Sequence, residues 1–207
     1  MTPHIDSLSI KVDLDQLSNI TKYYILCLTK IKTLYIGCHM EFNCLAPTIV
    51  FQEVPDEISL CFSITGCKLA CKGCHSTELW DKNYGTSLTN KSFITWLKKY
   101  QRLISCVVFF GGEWQANALI EKLLIAKNFG LKTCLYTGQE AGEKHIDIQI
   151  SQHLNFLKTG AWQAKLGGLE SPITNQVFRN IQTGEKLNHL FIKNHNNLSK
   201  GIHNVAA

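Results

Sequence analysis

Cys67-Lys68-Leu69-Ala70-Cys71-Lys72-Gly73-Cys74 places three thiols within eight residues. It follows directly on Ile58 to Ile64, where Ile58, Leu60, Phe62 and Ile64 alternate with other residues as in a strand. A loop this short can turn three sulfurs toward one point, where thiolates bind a soft metal or an iron–sulfur cluster. A [4Fe-4S] cluster normally takes four Cys, so three leave one iron open to a small molecule. Two other readings stay open on the residues alone. Structural zinc needs four ligands, and the chain offers no second Cys pair and only a poorly placed neighbour in His75. A dithiol at Cys71 and Cys74 would leave Cys67 unexplained.

Working outward, the elements alternate. Lys91 to Arg102 predicts a helix presenting Phe93, Leu97, Tyr100 and Ile104, capped by Thr89 or Asn90, after a turn at Asn83-Tyr84-Gly85. Cys106-Val107-Val108-Phe109-Phe110 is a continuous apolar run, as in a strand buried on both faces of a parallel sheet. Gln115 to Asn128 predicts a second helix with Leu119, Ile120, Leu123 and Leu124 on one face, stopped by Gly130. Further strands are expected at Thr133 to Tyr136, at Leu154 to Leu157 and, last, at Leu187 to Lys193. The order predicts a mainly parallel sheet with right-handed crossovers. From Ile58 to Lys193 there are 136 residues. That suffices for an α/β open, incomplete parallel barrel of about four to six strands, whereas a closed eight-stranded one takes roughly 250 residues.

Ligands of such sheets lie outside the carboxyl ends of the strands. The Cys loop, Gly111-Gly112-Glu113, Thr137-Gly138 and Lys158-Thr159-Gly160 each follow an expected strand, so all four fall on one edge. Gly111 and Gly112 allow close approach to the backbone, and Glu113 can hold a cationic amine. Taken alone, Gly-Gly-Glu is also an ordinary strand-to-helix turn.

Composition narrows the class. Charged residues are 18% and hydrophobic ones 45%, a globular balance. The net charge of +5 is spread over singly placed lysines, which gives no nucleic-acid stripe. Nine Cys is an odd number without a secretory signal, so a disulfide framework is not expected and a reducing cytoplasm is. Cys27, Cys61, Cys106 and Cys134 read as small buried hydrophobes. The apolar run Tyr23 to Leu28 is too short to span a bilayer. Residues 1–39 are expected to be a poorly defined extension, with the functional chain starting at or near Met40; 40–207 form one domain whose tail frays from about 194.

The spacing C-x3-C-x2-C after one strand, with Gly-Gly-Glu after the next, resembles the radical S-adenosylmethionine enzymes. Most members carry an aromatic residue just before the third Cys, where this chain has Gly73. That departure is similar to the small activating proteins of anaerobic ribonucleotide reductase. The resemblance to them covers about Phe51 to Lys193, through Glu53-Val54-Pro55-Asp56-Glu57, Gly66-Cys67, Gly73-Cys74-His75-Ser76, Gly111-Gly112-Glu113-Trp114 and Ser171-Pro172-Ile173-Thr174-Asn175-Gln176.

The resemblance implies that Cys67, Cys71 and Cys74 hold a [4Fe-4S] cluster whose fourth iron is chelated by S-adenosylmethionine. Gly111, Gly112 and Glu113 would bind the methionine amino group, while Thr137 and the Asn175-Gln176 pair would serve ribose or partner contacts. Local turn and cap bonding is an equal reading of those last three. One electron would split the sulfonium, and the resulting 5′-deoxyadenosyl radical would take hydrogen from a glycine Cα. The implied partners are the large catalytic subunit of anaerobic ribonucleoside-triphosphate reductase and a flavodoxin or ferredoxin electron donor, with no nucleic acid and no membrane.

Overall fold

The computed structural model describes residues 41–140 and 148–192. The expectations for residues 1–39, for Cys27, for a start near Met40 and for the tail from about 194 lie outside the described residues. In chain order the elements are β1 (Asn43–Cys44), β2 (Thr48–Val50), β3 (Ser59–Ser63), β4 (Thr86–Ser87), α1 (Asn90–Tyr100), β5 (Cys106–Phe110), α2 (Ala116–Asn128), β6 (Lys132–Tyr136), α3 (Ile148–Ser151), β7 (Phe156–Thr159) and β8 (Val177–Asn180). Short 3-10 turns lie at Thr77–Trp80, Glu113–Gln115 and Asn188–Phe191.

Six strands pair in the order β2-β3-β5-β6-β7-β8, and β1 pairs separately with β4. The inner four, β3, β5, β6 and β7, run parallel. β2 and β8 join antiparallel at the two edges. They do not pair with each other, so the sheet is the expected open one rather than a closed barrel.

Register fixes the two faces. Leu60, Phe62, Val107, Phe109 and Leu135 point toward the helices, where they pack with Phe93 and Leu97 of α1 and Leu119 and Leu123 of α2. Burying each such side chain stabilises the fold by roughly 1.5–3 kcal/mol. On the other face Cys61, Val108 and Cys134 share one row across three strands. They join Val54, Cys106, Phe156, Leu169 and Phe178 in a second cluster. With both faces covered, Cys106 to Phe109 are fully buried, which is why that run carries no alternation.

The helix ends follow local chemistry. Thr89 caps α1, its hydroxyl accepting from the Ser92 N–H at 3.0 Å, worth about 1 kcal/mol. Gly130, at φ +75°, terminates α2, its N–H donating to the Lys127 carbonyl at 2.9 Å.

Two strand expectations are corrected. Leu187 to Lys193 is not a strand: Asn188–Phe191 is a 3-10 turn. The buried Asn188 amide accepts from the Phe178 N–H at 3.0 Å and donates to the Gln176 carbonyl at 2.8 Å. The backbone turns back on β8 only briefly, through the Asn180 N–H to the Glu185 carbonyl at 3.0 Å and the Leu187 N–H to the Phe178 carbonyl at 2.8 Å, before the Asn188 side chain takes over the pairing. The last strand is β8 itself, in which only Phe178 is fully buried, so no apolar alternation announces it. The strand expected at Leu154 to Leu157 lies two residues later, because Leu154 packs into the helix-side core instead.

Candidate iron–sulfur site

The Cys loop is held before it turns. Gly66 and Cys67 both donate their N–H to the Leu79 carbonyl, at 2.7 and 3.0 Å, which ties the loop's entry to the following 3-10 turn. The Cys74 N–H then donates to the Cys71 carbonyl at 3.0 Å, with Gly73 at φ +71° making the tight turn. Ala70 also adopts a left-handed conformation, at φ +44°. Non-glycine residues adopt such geometry uncommonly.

Cys67, Cys71 and Cys74 are all half-buried. Burial raises the Cys67 thiol, a backbone N–H from Leu69 opposes the rise, and the charges of Glu113, Cys71 and Cys74 add to it. The three sulfurs and the carboxylate therefore share one neighbourhood. Among the described residues no three His, Cys, Asp or Glu side chains close on a single ion; a cluster, whose ligands each bind a different iron, does not need them to. The remaining thiols behave differently. Burial pushes Cys44 to about 11 and Cys61 and Cys106 each to about 12, and lifts Cys134 well above its ordinary range. Such thiols are inert, as expected for Cys61, Cys106 and Cys134.

Gly111 and Gly112 adopt φ of +80° and +103° as the chain leaves β5. A Cβ on Gly111 would lie 2.5 Å from the Trp114 ring, so the turn fits only glycine there. This brings Glu113 inward, 8% exposed. The Thr137 hydroxyl donates to its Oε1 at 2.6 Å, while Oε2 is buried with no partner. Burial raises the Glu113 carboxyl above the usual carboxylate range, against the Thr137 hydrogen bond. A carboxylate held by one oxygen, with the other buried and bare, is poised for a cation.

The other predicted residues gather on the same edge. Asn175 donates from Nδ2 to the Ala161 carbonyl at 3.0 Å, and its Oδ1 is buried without a partner. Gly160 packs on the Asn175 backbone, where a Cβ would come within 2.9 Å of the carbonyl oxygen.

Three side chains here were given no role from the sequence. Lys158 is buried on β7, donating to the Gly160 carbonyl at 2.9 Å. Burial lowers it to about 8, against the charges of Cys71 and Glu140. Gln139 leaves its Oε1 buried and unpartnered. Trp162 stacks edge-on against His75 at 4.9 Å between ring centroids, and its Nε1 is buried without an acceptor. The strand-end position of Lys158 was legible, but neither motif nor spacing shows that these three side chains are buried at this edge.

An open, mostly parallel sheet whose active edge carries three neighbouring thiols and an unpartnered buried carboxylate defines an iron–sulfur class of protein. Residues 58–173, 116 of the 207, match the family model described as 4Fe-4S single cluster domain. The chain belongs to that family, whose group is a [4Fe-4S] cluster. No curated protein matches the chain. Among solved structures, the crystal structure of QueE from Escherichia coli is similar, at 14% identity and a TM-score of 0.46, covering 65% of this chain and 77% of that one. No helix among the described residues is long and apolar enough to cross a membrane.

Proposed function

We propose that this chain is a radical S-adenosylmethionine enzyme that installs a glycyl radical on a partner protein, the large catalytic subunit of an anaerobic ribonucleoside-triphosphate reductase. The observation that carries the reading is Glu113: a buried carboxylate beside the Cys loop, fixed through one oxygen by Thr137 and bare at the other. When bound, the cluster would supply the one electron, drawn from a flavodoxin or ferredoxin, that cleaves S-adenosylmethionine to methionine and the radical needed to take hydrogen from a glycine Cα.

The chain's residues do the rest. Cys67, Cys71 and Cys74 would hold the cluster by three thiolates, which leaves it one protein ligand short and open to S-adenosylmethionine. Glu113 accepts hydrogen bonds from the methionine ammonium, with Gly111 and Gly112 giving that group access to the backbone. Lys158, buried on β7, would offer its ammonium to the methionine carboxylate. The unpartnered Gln139 and Asn175 oxygens and the Trp162 N–H are groups an adenosine can satisfy. The open sheet admits a protein segment where a closed barrel would admit only small molecules.

The test is anaerobic reconstitution, then incubation with dithionite, S-adenosylmethionine and the candidate large subunit. About four irons per chain, release of 5′-deoxyadenosine and a glycyl doublet in electron paramagnetic resonance are expected. Cleavage without the doublet would replace the proposed substrate by another glycyl-radical enzyme or a small molecule. Zinc in place of iron, or no cleavage, would overturn the reading and favour a non-catalytic zinc or dithiol module.

A further inference from the structure

Trp162 touches both chain neighbours of Cys74. A Cβ built on Gly73 would meet nothing nearer than the Trp162 Nε1, at 3.9 Å, and the His75 ring stands edge-on to the indole with centroids 4.9 Å apart. Gly73 leaves open the space beside the third thiol, and an indole carried by the segment after β7 lies against it.

That segment is fixed from several sides. The Gly160 N–H donates to the Gln139 carbonyl at 2.8 Å, and the Asn175 amide donates to the Ala161 carbonyl at 3.0 Å. From the Cys loop, Leu69 fills the space at Gly138, where a Cβ would lie 2.5 Å from its Cδ1 and 3.5 Å from the Ala161 Cα. The Cys loop and the segment carrying Trp162 are thereby packed on each other.

The indole N–H is buried and has no acceptor. The other unpartnered atoms at this edge, Glu113 Oε2, Gln115 Oε1, Gln139 Oε1 and Asn175 Oδ1, are all acceptors, and none of them meets it. A buried donor left bare costs ~1–3 kcal/mol until a partner arrives. The acceptor chemistry that the fold brings to this point is sulfur: Cys74 stands between the two residues the indole touches, and its Sγ already accepts from the Ser76 N–H at 3.4 Å. An adenosine can satisfy the same N–H, but only while the cofactor is bound; a cluster sulfur would satisfy it in every state of the loaded protein.

We infer that the Trp162 N–H donates to sulfur of the cluster at Cys74, thiolate or inorganic sulfide, and sets the cluster's reduction potential. A hydrogen bond to sulfur favours the form with more negative charge, which is the reduced one, so this contact raises the potential toward the reach of a protein electron donor. The inference rests on the [4Fe-4S] cluster of the proposed reading and not on the substrate of the radical.

The test is a redox titration of the anaerobically reconstituted full chain without S-adenosylmethionine, followed by electron paramagnetic resonance of the reduced cluster. Trp162→Phe keeps a flat ring against His75 and removes the N–H. Its cluster should be harder to reduce, by about tenfold in the reduction equilibrium, which for one electron is about 59 mV. Electron–nuclear double resonance after exchange into D2O should show an exchangeable proton coupled to the parent's cluster that the Phe variant lacks. Replacing Trp162 by benzothienylalanine, which has the same shape with sulfur in place of the N–H, gives the same comparison with the packing kept, and carries the test should the Phe variant lose its iron. Trp96→Phe, on α1, should match the parent in both readings. An unshifted potential in an iron-loaded variant overturns the inference and leaves the activase reading intact; weaker S-adenosylmethionine binding beside it would give the N–H to the adenosine instead. A shifted potential in a protein that raises no glycyl doublet would replace the proposed substrate and leave the role of Trp162 standing.

Discussion

Replacing Glu113 by glutamine separates a residue kept for a ligand from one kept for the fold. The carboxylate is 8% exposed, bonded through Oε1 to Thr137 and bare at Oε2. A buried polar group left without its bond costs ~1–3 kcal/mol, more when charged. Glutamine keeps an oxygen for Thr137 and removes the charge, so the empty protein should gain about 1 kcal/mol, a rise in melting temperature of about 2–4 °C. The sign is the same in pH. A carboxyl raised above its ordinary 4.5 favours folding most below that value and loses this advantage as pH rises through its folded pKa. The Gln variant should lack that dependence. Ligand binding should move the other way. Loss of a charge-assisted hydrogen bond of ~1.5–3 kcal/mol weakens S-adenosylmethionine binding about 10- to 150-fold. Melting followed by circular dichroism and equilibrium dialysis on anaerobically reconstituted protein measure the two effects. A variant that melts lower and binds the cofactor like the parent would refute the argument, because Glu113 would then be a structural group.

Alanine at Cys67, Cys71 or Cys74 should each abolish iron retention and cofactor cleavage, whereas Cys106→Ala, in a fully buried position, should retain both; iron analysis after anaerobic gel filtration decides. Lys158 is held near 8 by burial against an ordinary 10.5, so the folded state surrenders that proton first and stability gains as pH climbs from about 8 toward 10.5. Lys158→Met should flatten that gain in urea titrations across the window, and an unchanged slope would show that the amine is not buried in solution. Gly111→Ala forces a Cβ to 2.5 Å from Trp114 at φ +80°, whereas Gly73→Ala meets only Trp162 at 3.9 Å. Urea unfolding should show about 1 kcal/mol lost at Gly73, for the backbone alone, and more than ~2 kcal/mol at Gly111, where overpacking adds to it.

Most of the fold was legible because its inner strands read as an alternating stretch at β3, a continuous apolar run at β5 and short apolar-rich stretches at β6 and β7, ended by glycine or by the Cys loop. Burial of Cys106 to Phe109 on two faces and the stop of α2 at Gly130 are written in residue types alone. What escaped was set by partners distant in the chain. β8 shows no alternation because three of its four residues are only partly covered or exposed, and its place at the edge depends on Asn188, eight residues beyond its end. β2 is three residues long and half-covered, and it belongs to the sheet only through pairing with β3. The site divides the same way. Three closely spaced thiols and a Gly-Gly-Glu turn announce themselves, but the buried amine of Lys158 and the indole of Trp162 matter because of where β7 carries them.

The distribution of unpartnered buried polar atoms makes the strongest case that this edge is built for a ligand. Among the described residues these atoms belong to Ser59, Glu113, Gln115, Gln139, Trp162 and Asn175. Glu113 and Gln115 follow β5, Gln139 follows β6, Trp162 follows β7, and Asn175 precedes the antiparallel β8, so all five lie at the same end of the sheet. Only Ser59, at the start of β3, lies elsewhere. Each such atom costs ~1–3 kcal/mol in an empty protein. Beneath them, the inner face is sealed with thiols and aromatic rings that need no partners. A fold selected for stability alone would continue that apolar lining to the edge. Polar atoms left bare there, around three thiols held in a strained loop, lose their penalty only when something with complementary charge and hydrogen-bonding groups occupies the space between them.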